Sequence, residues 1–589
     1  MTYGDAYWYL ASTVRFLNAL SQRPLHVFSF RDLSLGGRPP LYQLLSMPFL
    51  APGVRTEDAA RYVNLFFLGV LIATTYYTAR LIKDEYAGVL AAILVVCYPP
   101  IIHLSRIYLP HFAVPACVSL SVCLLTSLLV NPCAKTAWLF GASLAFGALI
   151  HPNFLPLPVV PTTVAMVYLV LFSQDPKRPR ALRESHRWLG SKLAVPDPLL
   201  WRGLVPAAAI ALGSTLAWYL TAGREVLGLQ QQLMQRSLAE LTGEKYIAIG
   251  FPDVQPGFWW YVHTAPGAIT NVLGVLLAVS LVSGTASCNG LVMLLVLWFI
   301  TDWAIVSVNT TLHWWYPSAV LPIAAVLTSV FVTGQRRRSL ALGGTVLCLG
   351  VALFAFAVVT WGASPGLWQL AIALGAAEKE CWRAEVAFCP EQAGQVVEAW
   401  PVAEIIQTIT RDQGPRVGEY RSLLPLDLPG GRWRCWGAQP CGEGRRLGPR
   451  WVALLTYRFA KDAPSARLRV SDPEAPTWGR LYNFEVLRSD YVLYEEGVVP
   501  DEGPNGILAY QRATAKFLQA PPAAFVESHK RVATFQGPDG RTAALIKRVR
   551  PLTVSEAEDS IAAIQLPEPQ KELGHLIFSA LNSSREAAP

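Results

Sequence analysis

Side chains able to do chemistry gather at the ends of the long apolar runs of this sequence and in the segments that join these runs. They are carboxylates, guanidinium groups, imidazoles and phenols, which exchange a proton or hold an anion, together with tryptophans. Placed beside apolar runs, such groups suit a substrate with a lipid tail in the bilayer and a polar head in water. The residues are Asp5, Tyr7, Tyr9, Arg38, Tyr42, Arg106, His111, Trp259, Trp260, His263, His313 and Tyr316. Asp302 differs, because it lies inside an apolar run, near one end.

The composition indicates a membrane protein. Of 589 residues, 52% are hydrophobic and 15% are charged, whereas about 25% are charged in an ordinary globular chain. A bilayer core of about 30 Å needs about 20 apolar residues per helix. We therefore predict a polytopic α-helical membrane protein with about ten spans. The apolar runs, some of them short, cover residues 60–82, 86–102, 110–131, 136–150, 153–173, 203–222, 266–284, 289–308, 314–333 and 340–362.

Lysine and arginine set the predicted orientation of these spans. One set of alternate loops carries 13 basic residues, seven of them in the loop 174–202, and the opposite short loops carry four. The more basic loops are expected in the cytoplasm. Five arginines between residues 1 and 57 oppose this orientation. The net charge of +8 is explained by topology, so it does not indicate a nucleic-acid partner.

The orientation divides the chain into predicted regions. Residues 1–57 form an outer segment with juxtamembrane helices, and residues 58–362 form the membrane domain, with the cytoplasmic loop 174–202 and an outer loop at 223–265. Residues 363–589 form an extracytoplasmic soluble domain. The start "MTYGDAYWYLA" lacks both the basic region and the apolar region that a signal peptide has. An N-terminus outside the membrane then requires an earlier span, so we expect the natural chain to begin before residue 1 or its start to be misassigned.

The soluble domain is predicted to be α/β or α+β. "PVAEIIQTITRD" has helical periodicity, whereas "RWVALLTYRF" and "NFEVLRSDYVLYEEG" have the composition of strands. "RVATFQGPDGRTAALIKRV" predicts a hairpin around residues 537–540.

Four cysteines of this domain form two close pairs, which favour local disulfides in an oxidising compartment. Four reduced thiols or a zinc site are the alternatives, although the spacings of eight and six residues do not match the short CxxC pairs of common zinc sites. The cysteines are Cys381 with Cys389, and Cys435 with Cys441.

Several motifs resemble those of the GT-C glycosyltransferases, especially the protein O-mannosyltransferase and aminoarabinose-transferase-like group. "YGDAYWYLASTVRFLNAL", followed by "GGRPPLYQLLSMPFL", is similar to the first outer loop of that group, with an acid and then a Pro-Pro-Leu-Tyr stretch. "ARLIKDEYAGVLAAILVVCYPPIIHLSRIYLP" and "HWWYPSAVLPIAAVL" are further similarities. The resemblance extends from residue 1 to about residue 360 and depends on the order of the motifs, since none is specific alone.

The resemblance implies a reaction. The donor is a sugar on a polyprenyl phosphate, and one inverting displacement on the outer face moves the sugar to a lipid, glycan or protein acceptor. Asp5 matches the acid of the first loop and is the candidate general base. The leaving lipid phosphate needs cationic donors, for which Arg38 and Arg106 are candidates, with His313 and Tyr316 in support. No metal and no cofactor is expected, and the implied location is a bacterial inner or plasma membrane.

Other interpretations of the same residues remain open. Asp5 is also a suitable N-cap for a helix that begins at Ala6. Arg38 could be a solvated loop residue, with the prolines after it as a rigid turn between two helices. Otherwise the prolines bend the loop back onto the membrane, and Tyr42 and Arg38 face the head-group site. Arg106 could be an interfacial anchor, and His313 and Tyr316 could belong to an aromatic belt. Asp302 is a functional candidate by default, because acids within a membrane usually are, but it could also be a satisfied polar residue between helices.

Two departures from the family pattern leave the function open. The first span of the family is absent, and His111 stands about where many relatives carry a second acid. His111 could act as a neutral base or hydrogen-bond partner, or could mark an inactive member. Both departures favour one alternative to a glycosyltransferase, a catalytically inactive membrane anchor for the soluble tail. A second alternative is a lipid or solute transporter or flippase, which would need a polar pathway across the spans.

Overall fold

The computed structural model describes the membrane helices and much of the tail. The described residues are 9–14, 16–18, 39–50, 57–131, 133–151, 154–173, 270–286, 290–308, 316–361, 401–413, 421–425, 468–470, 489–497, 514–537 and 542–564, with a few short pieces at 209, 212–213, 215–216, 370, 461 and 486–487.

Twelve helices are described between residues 41 and 361. They are α1 (Leu41–Leu50), α2 (Glu57–Arg61), α3 (Val63–Ile82), α4 (Glu85–Cys97), α5 (Pro99–Ser105), α6 (Ala113–Val130), α7 (Ala134–Ile150), α8 (Pro156–Ser173), α9 (Asn271–Ala286), α10 (Gly290–Val308), α11 (Leu321–Thr333) and α12 (Arg338–Trp361). Two 3-10 turns, Pro110–Phe112 and Tyr316–Val320, precede α6 and α11. Residues 9–14 are also helical.

Three of the described helical segments are long and apolar enough to cross a membrane: Ala59–Ile82, Pro110–Val130 and Arg338–Val358. Six shorter apolar helices accompany them. The predicted run 203–222 lies almost wholly outside the described residues, so the count of about ten spans stays a prediction. The run 86–102 is not one helix, because α4 ends at Cys97 and Tyr98 is extended (φ −66°, ψ 127°). Pro99 follows, and a proline disfavours helical geometry in the residue before it.

Helix α3 packs against α4, α6 and α11. Between α3 and α6, the hydroxyl of Thr74 donates to Ser119 Oγ over 2.8 Å. Ser121 and Ser143 make a similar contact of 3.1 Å between α6 and α7. Small hydroxyl residues let neighbouring membrane helices approach closely and hydrogen-bond to one another. At the far end of α3, Asp84 caps α4 by accepting from the Ala87 amide over 2.9 Å.

The tail contains a five-stranded mixed sheet of order β2-β1-β3-β5-β4. The strands are β1 (Arg421–Pro425), β2 (Leu468–Val470), β3 (Tyr491–Glu495), β4 (His529–Gln536) and β5 (Thr542–Arg548), and the helices are α13 (Val402–Gln413), α14 (Ala523–Ser528) and α15 (Val554–Ala563). β1 is parallel to β2 and β3, and β5 is antiparallel to β3 and β4. The predicted hairpin around residues 537–540 is therefore present as the β4–β5 pair. The predicted strand "RWVALLTYRF" lies outside the described residues.

Helices cover both faces of this sheet. On one face, Ile405, Ile406 and Ile409 of α13 pack against residues of β1, β3, β4 and β5. On the other face, Phe525 of α14 and Ile561 of α15 pack against β3 and β5. Amphipathic helices that bury both faces of a mixed sheet give an α/β architecture. The placement of the tail outside the membrane stays a prediction.

The environment of His529 predicts that the folded tail loses stability in acid. Its ring is 5% exposed and stacks on Phe525 at a centroid distance of 4.0 Å. Burial, reinforced by Arg548, lowers the pKa of His529 to about 4. The folded tail therefore binds a proton at His529 more weakly than the unfolded chain does. The full stability of the tail is present above the unfolded pKa of about 6.5, where the ring is neutral in both states. As the pH falls from about 6.5 to 4, roughly 3 kcal/mol of stability should be lost.

The measurement is hydrogen exchange in the β4 and β5 peptides of the full-length protein, corrected for intrinsic exchange rates. His529→Phe is the control, since it keeps an aromatic ring on Phe525 but cannot titrate. Protection in the wild type should fall more steeply with acid than in this variant, and parallel pH profiles would contradict the assignment.

Candidate active site at one end of the membrane helices

A single carboxamide, that of Asn64, joins three segments at the beginning of α3. Its Oδ1 accepts a hydrogen bond from the Tyr42 hydroxyl over 2.8 Å. Its Nδ2 donates to the backbone carbonyls of Ser105, over 3.1 Å, and Ile107, over 2.8 Å. Asn64 is buried. This side chain therefore fixes α1 and the loop that follows α5 relative to α3.

Tyr108 forms a second connection in the same place. Its hydroxyl lies 2.6 Å from Ser46 Oγ and 3.0 Å from Thr13 Oγ1. Its ring lies 5.1 Å from that of Tyr42. Burial raises the pKa of Tyr108 to about 12, so the phenol stays protonated at neutral pH. The loop after α5 is thus held to α1 and to the helical residues 9–14 by a buried, neutral polar network.

Three of the residues predicted to bind substrate lie in or beside this network. Tyr42 is buried and bonded to Asn64. Arg106 is exposed, and it stands between the two residues whose carbonyls Asn64 holds. His111 is buried in the 3-10 turn before α6. The structure therefore fixes the backbone around Arg106 while leaving its guanidinium accessible, which is what binding an anion at a membrane surface requires.

His111 has a neighbour that the sequence patterns did not single out. The rings of His111 and His151 have a centroid distance of 4.6 Å, and both are buried. His151 follows the end of α7, where its amide donates to Gly147 and its carbonyl accepts from Phe154. A Cβ at Gly147 would lie 2.3 Å from the Phe154 ring. A glycine at this position therefore lets the turn after α7 fold back closely and carry His151 to His111.

Asp302 belongs to a different helix from these residues. It is fully buried in α10, and its Oδ2 accepts from Trp298 Nε1, one turn earlier, over 2.9 Å. Its Oδ1 has no hydrogen-bond partner among the described residues. Helix α10 packs on α8 and on the 3-10 turn Tyr316–Val320, which also packs on α6. Asp302 is thus half satisfied, and both of its predicted roles, substrate contact and structural polar residue, stay open.

Tyr9 is buried in the helical residues 9–14. The other predicted residues, except Tyr316, fall outside what the structure describes. These are Asp5, Tyr7, Arg38, Trp259, Trp260, His263, His313 and the four cysteines Cys381, Cys389, Cys435 and Cys441. Tyr316 begins a 3-10 turn, but its side chain is not described. Among the described residues, no three His, Cys, Asp or Glu side chains lie close enough to hold a metal ion. The prediction of a metal-independent site is therefore untested.

Asn64, Tyr108 and His151 were not predicted as site residues. The sequence contained one indication that Asn64 is special, since it is the only carboxamide residue in the apolar run 60–82. A buried amide in a membrane helix needs partners, and here these partners are far along the chain.

No family model and no curated protein matches the chain. Among solved structures, ArnT from Cupriavidus metallidurans bound to undecaprenyl phosphate superimposes with a TM-score of 0.53 at 12% identity, covering 92% of this chain and 94% of ArnT. The chain has a GT-C fold. The apo form of ArnT gives a TM-score of 0.51 at 12% identity, covering 92% of this chain and 93% of ArnT.

A third structure is the oligosaccharyltransferase AglB from Archaeoglobus fulgidus, which superimposes with a TM-score of 0.42 at 12% identity, covering 92% of this chain and 70% of AglB. That score is too low to support an inference. The superposition on ArnT confirms the fold that the order of the motifs predicted. It also extends past residue 360, where the motif resemblance ends, because 92% of the chain is covered.

Proposed function

We propose that this protein is an inverting glycosyltransferase that moves a sugar from a polyprenyl phosphate to an acceptor on the extracytoplasmic face of the membrane. The observation that carries the proposal is the superposition, over nearly the whole of both chains, on ArnT bound to undecaprenyl phosphate. The polar network at one end of the membrane helices supports it, because this network fixes the loop that carries Arg106.

In the proposed reaction, a hydroxyl of the acceptor attacks C1 of the sugar from the face opposite the phosphate. The C1–O bond to the phosphate breaks, its electron pair stays on the phosphate oxygen, and the configuration at C1 inverts. The acceptor proton passes to the carboxylate of Asp5 as the general base. Arg38 and Arg106 hold the phosphate as its negative charge grows. Tyr42, His111, Asp302, His313 and Tyr316 are proposed to support the bound head group.

The sidedness of the site rests on the distribution of basic residues. Arg80, in the last turn of α3, and Lys83 lie where α3 connects to α4. Arg336, Arg337 and Arg338 lie where α11 connects to α12, with Arg338 the first residue of α12. If these loops are cytoplasmic, then the opposite ends of the same helices are outside, and Asn64, Arg106 and His111 lie at those ends. The acceptor would then be a lipid, glycan or protein of the cell envelope.

The direct test is sugar transfer by the purified full-length protein in liposomes. Undecaprenyl phosphates that carry radiolabelled mannose, glucose or an arabinose derivative serve as donors, and envelope extracts serve as acceptors. We expect label to pass from the lipid to an acceptor, with release of undecaprenyl phosphate and an inverted anomeric configuration in the product. Movement of intact labelled lipid between leaflets without transfer would indicate a flippase. The absence of both transfer and movement would indicate a membrane anchor.

A further inference from the structure

Gln43 is a buried polar residue that the network described above does not use. It lies in α1, next to Tyr42, and none of its surface is exposed. Within the described part of the chain, neither Oε1 nor Nε2 of its carboxamide has a hydrogen-bond partner. A buried polar group without a partner costs about 1–3 kcal/mol, and this amide leaves both an acceptor and a donor group unpaired.

The neighbours of Gln43 are occupied with other partners. The Tyr42 hydroxyl is bonded to Asn64. Ser46, one helical turn later, contacts Tyr108 and donates to the backbone carbonyl of Gln43. Successive residues of an α-helix point about 100° apart, so the Gln43 side chain flanks the face that carries Tyr42 and Ser46. The amide therefore borders the polar network without joining it.

We propose that Gln43 binds the sugar of the lipid-linked donor and helps to determine which sugar is accepted. This inference rests on the proposed function. A carboxamide is uncharged and offers one acceptor and two donor hydrogens, which matches a pair of sugar hydroxyls. The phosphate, in contrast, is matched by the charged groups assigned to it, such as Arg106. The ligand must displace side chains around α1 to reach the amide, because the amide is fully buried without ligand.

If Gln43 binds the sugar, its replacement should not lower the Tm of the unliganded protein, whereas replacement of a residue that supports the fold would lower it. Gln43→Met replaces the amide with an apolar group of similar length, so the unpaired amide disappears. We expect the Tm of the unliganded protein to stay the same or rise. We also expect KM for the sugar donor to rise about tenfold or more, since a site that hydrogen-bonds a hydroxyl discriminates strongly. Leu45→Met, a change at a partly buried position of the same helix, is the matched control and should alter neither quantity.

The experiment compares thermal stabilisation of the full-length protein by two lipids, undecaprenyl phosphate and the undecaprenyl phosphate sugar that is active in the transfer assay. Wild type should be stabilised by both, and more by the lipid that carries the sugar. Gln43→Met should keep the response to undecaprenyl phosphate and lose the additional response to the sugar.

Two results would overturn the inference while leaving the proposed function intact. One is a lower Tm for unliganded Gln43→Met, which would show that the amide stabilises the fold in the absence of the sugar. The other is a sugar-dependent response equal to that of wild type. If instead wild type responds to neither lipid, the proposed function fails and the role of Gln43 fails with it.

Discussion

An Asn64→Leu variant should lose roughly 3 kcal/mol of stability, because two buried hydrogen-bonding groups and one partly buried group lose their partner at once. The Tyr42 hydroxyl loses its acceptor, and the carbonyls of Ser105 and Ile107 lose their donor. Leucine has the same number of side-chain heavy atoms and the same branching as asparagine, so it leaves no cavity, and the loss comes mainly from unpaired polar groups. The loop that carries Arg106 should also become less ordered, and sugar transfer should fall at least about tenfold as positioning is lost.

Two further variants separate the parts of this effect. Tyr42→Phe removes only the hydrogen bond to Asn64 and keeps the ring beside Tyr108, so it should cost about 1 kcal/mol. Asn64→Asp keeps an acceptor for Tyr42 but cannot donate to the two carbonyls, and it should be nearly as damaging as leucine. The measurement is thermal unfolding in detergent, with transfer measured in parallel. If Asn64→Leu is no less stable than Tyr42→Phe, the two carbonyl bonds contribute nothing and the loop is held by other contacts.

The sequence predicted the overall fold better than it predicted the bounds of individual helices and strands. The GT-C fold followed from several weak motifs in the right order, and the apolar runs located most of the membrane helices. The break at Tyr98 was missed, because mean hydropathy along 86–102 hides the effect of Pro99 and Pro100 on the backbone. In the tail, the period of "PVAEIIQTITRD" predicted α13 and the glycines at 537 and 540 predicted the β4–β5 pair. Strand β1 was missed, since its five residues carry no alternation.

The site was harder to predict, because its contacts join residues that are distant in sequence. Tyr108 meets Ser46 across 62 positions and Thr13 across 95. Local patterns cannot show such pairs; they are set by how α1, α3 and the loop after α5 pack. Tyr42 and Arg106 could be proposed as candidates from their residue types and their places in the sequence. The amide that holds them, Asn64, becomes evident only once its partners are known.

Asp5→Asn should lower kcat for sugar transfer by about 100-fold to 10,000-fold, the usual contribution of a general base. Asparagine has nearly the same shape and can also serve as the N-cap of a helix that begins at Ala6, so a loss of activity would report the missing carboxylate and not a lost helix start. Binding of the donor should change little, because the carboxylate is proposed to act on the acceptor proton. The effect therefore belongs in kcat and not in the affinity for undecaprenyl phosphate.

The matched control is Asp84→Asn, the same chemical change at the cap of α4, at the opposite end of α3 from Asn64. Asparagine caps a helix about as well as aspartate, so this variant should transfer sugar like wild type. Both variants are assayed in the same liposomes, with stabilisation by undecaprenyl phosphate as the measure of binding. Wild-type kcat in Asp5→Asn would remove Asp5 from the reaction. The next base to test would then be His111, whose buried ring lies against that of His151. Equal losses in Asp5→Asn and Asp84→Asn would instead show that both changes act through the fold, since only one of these carboxylates is proposed to meet the acceptor.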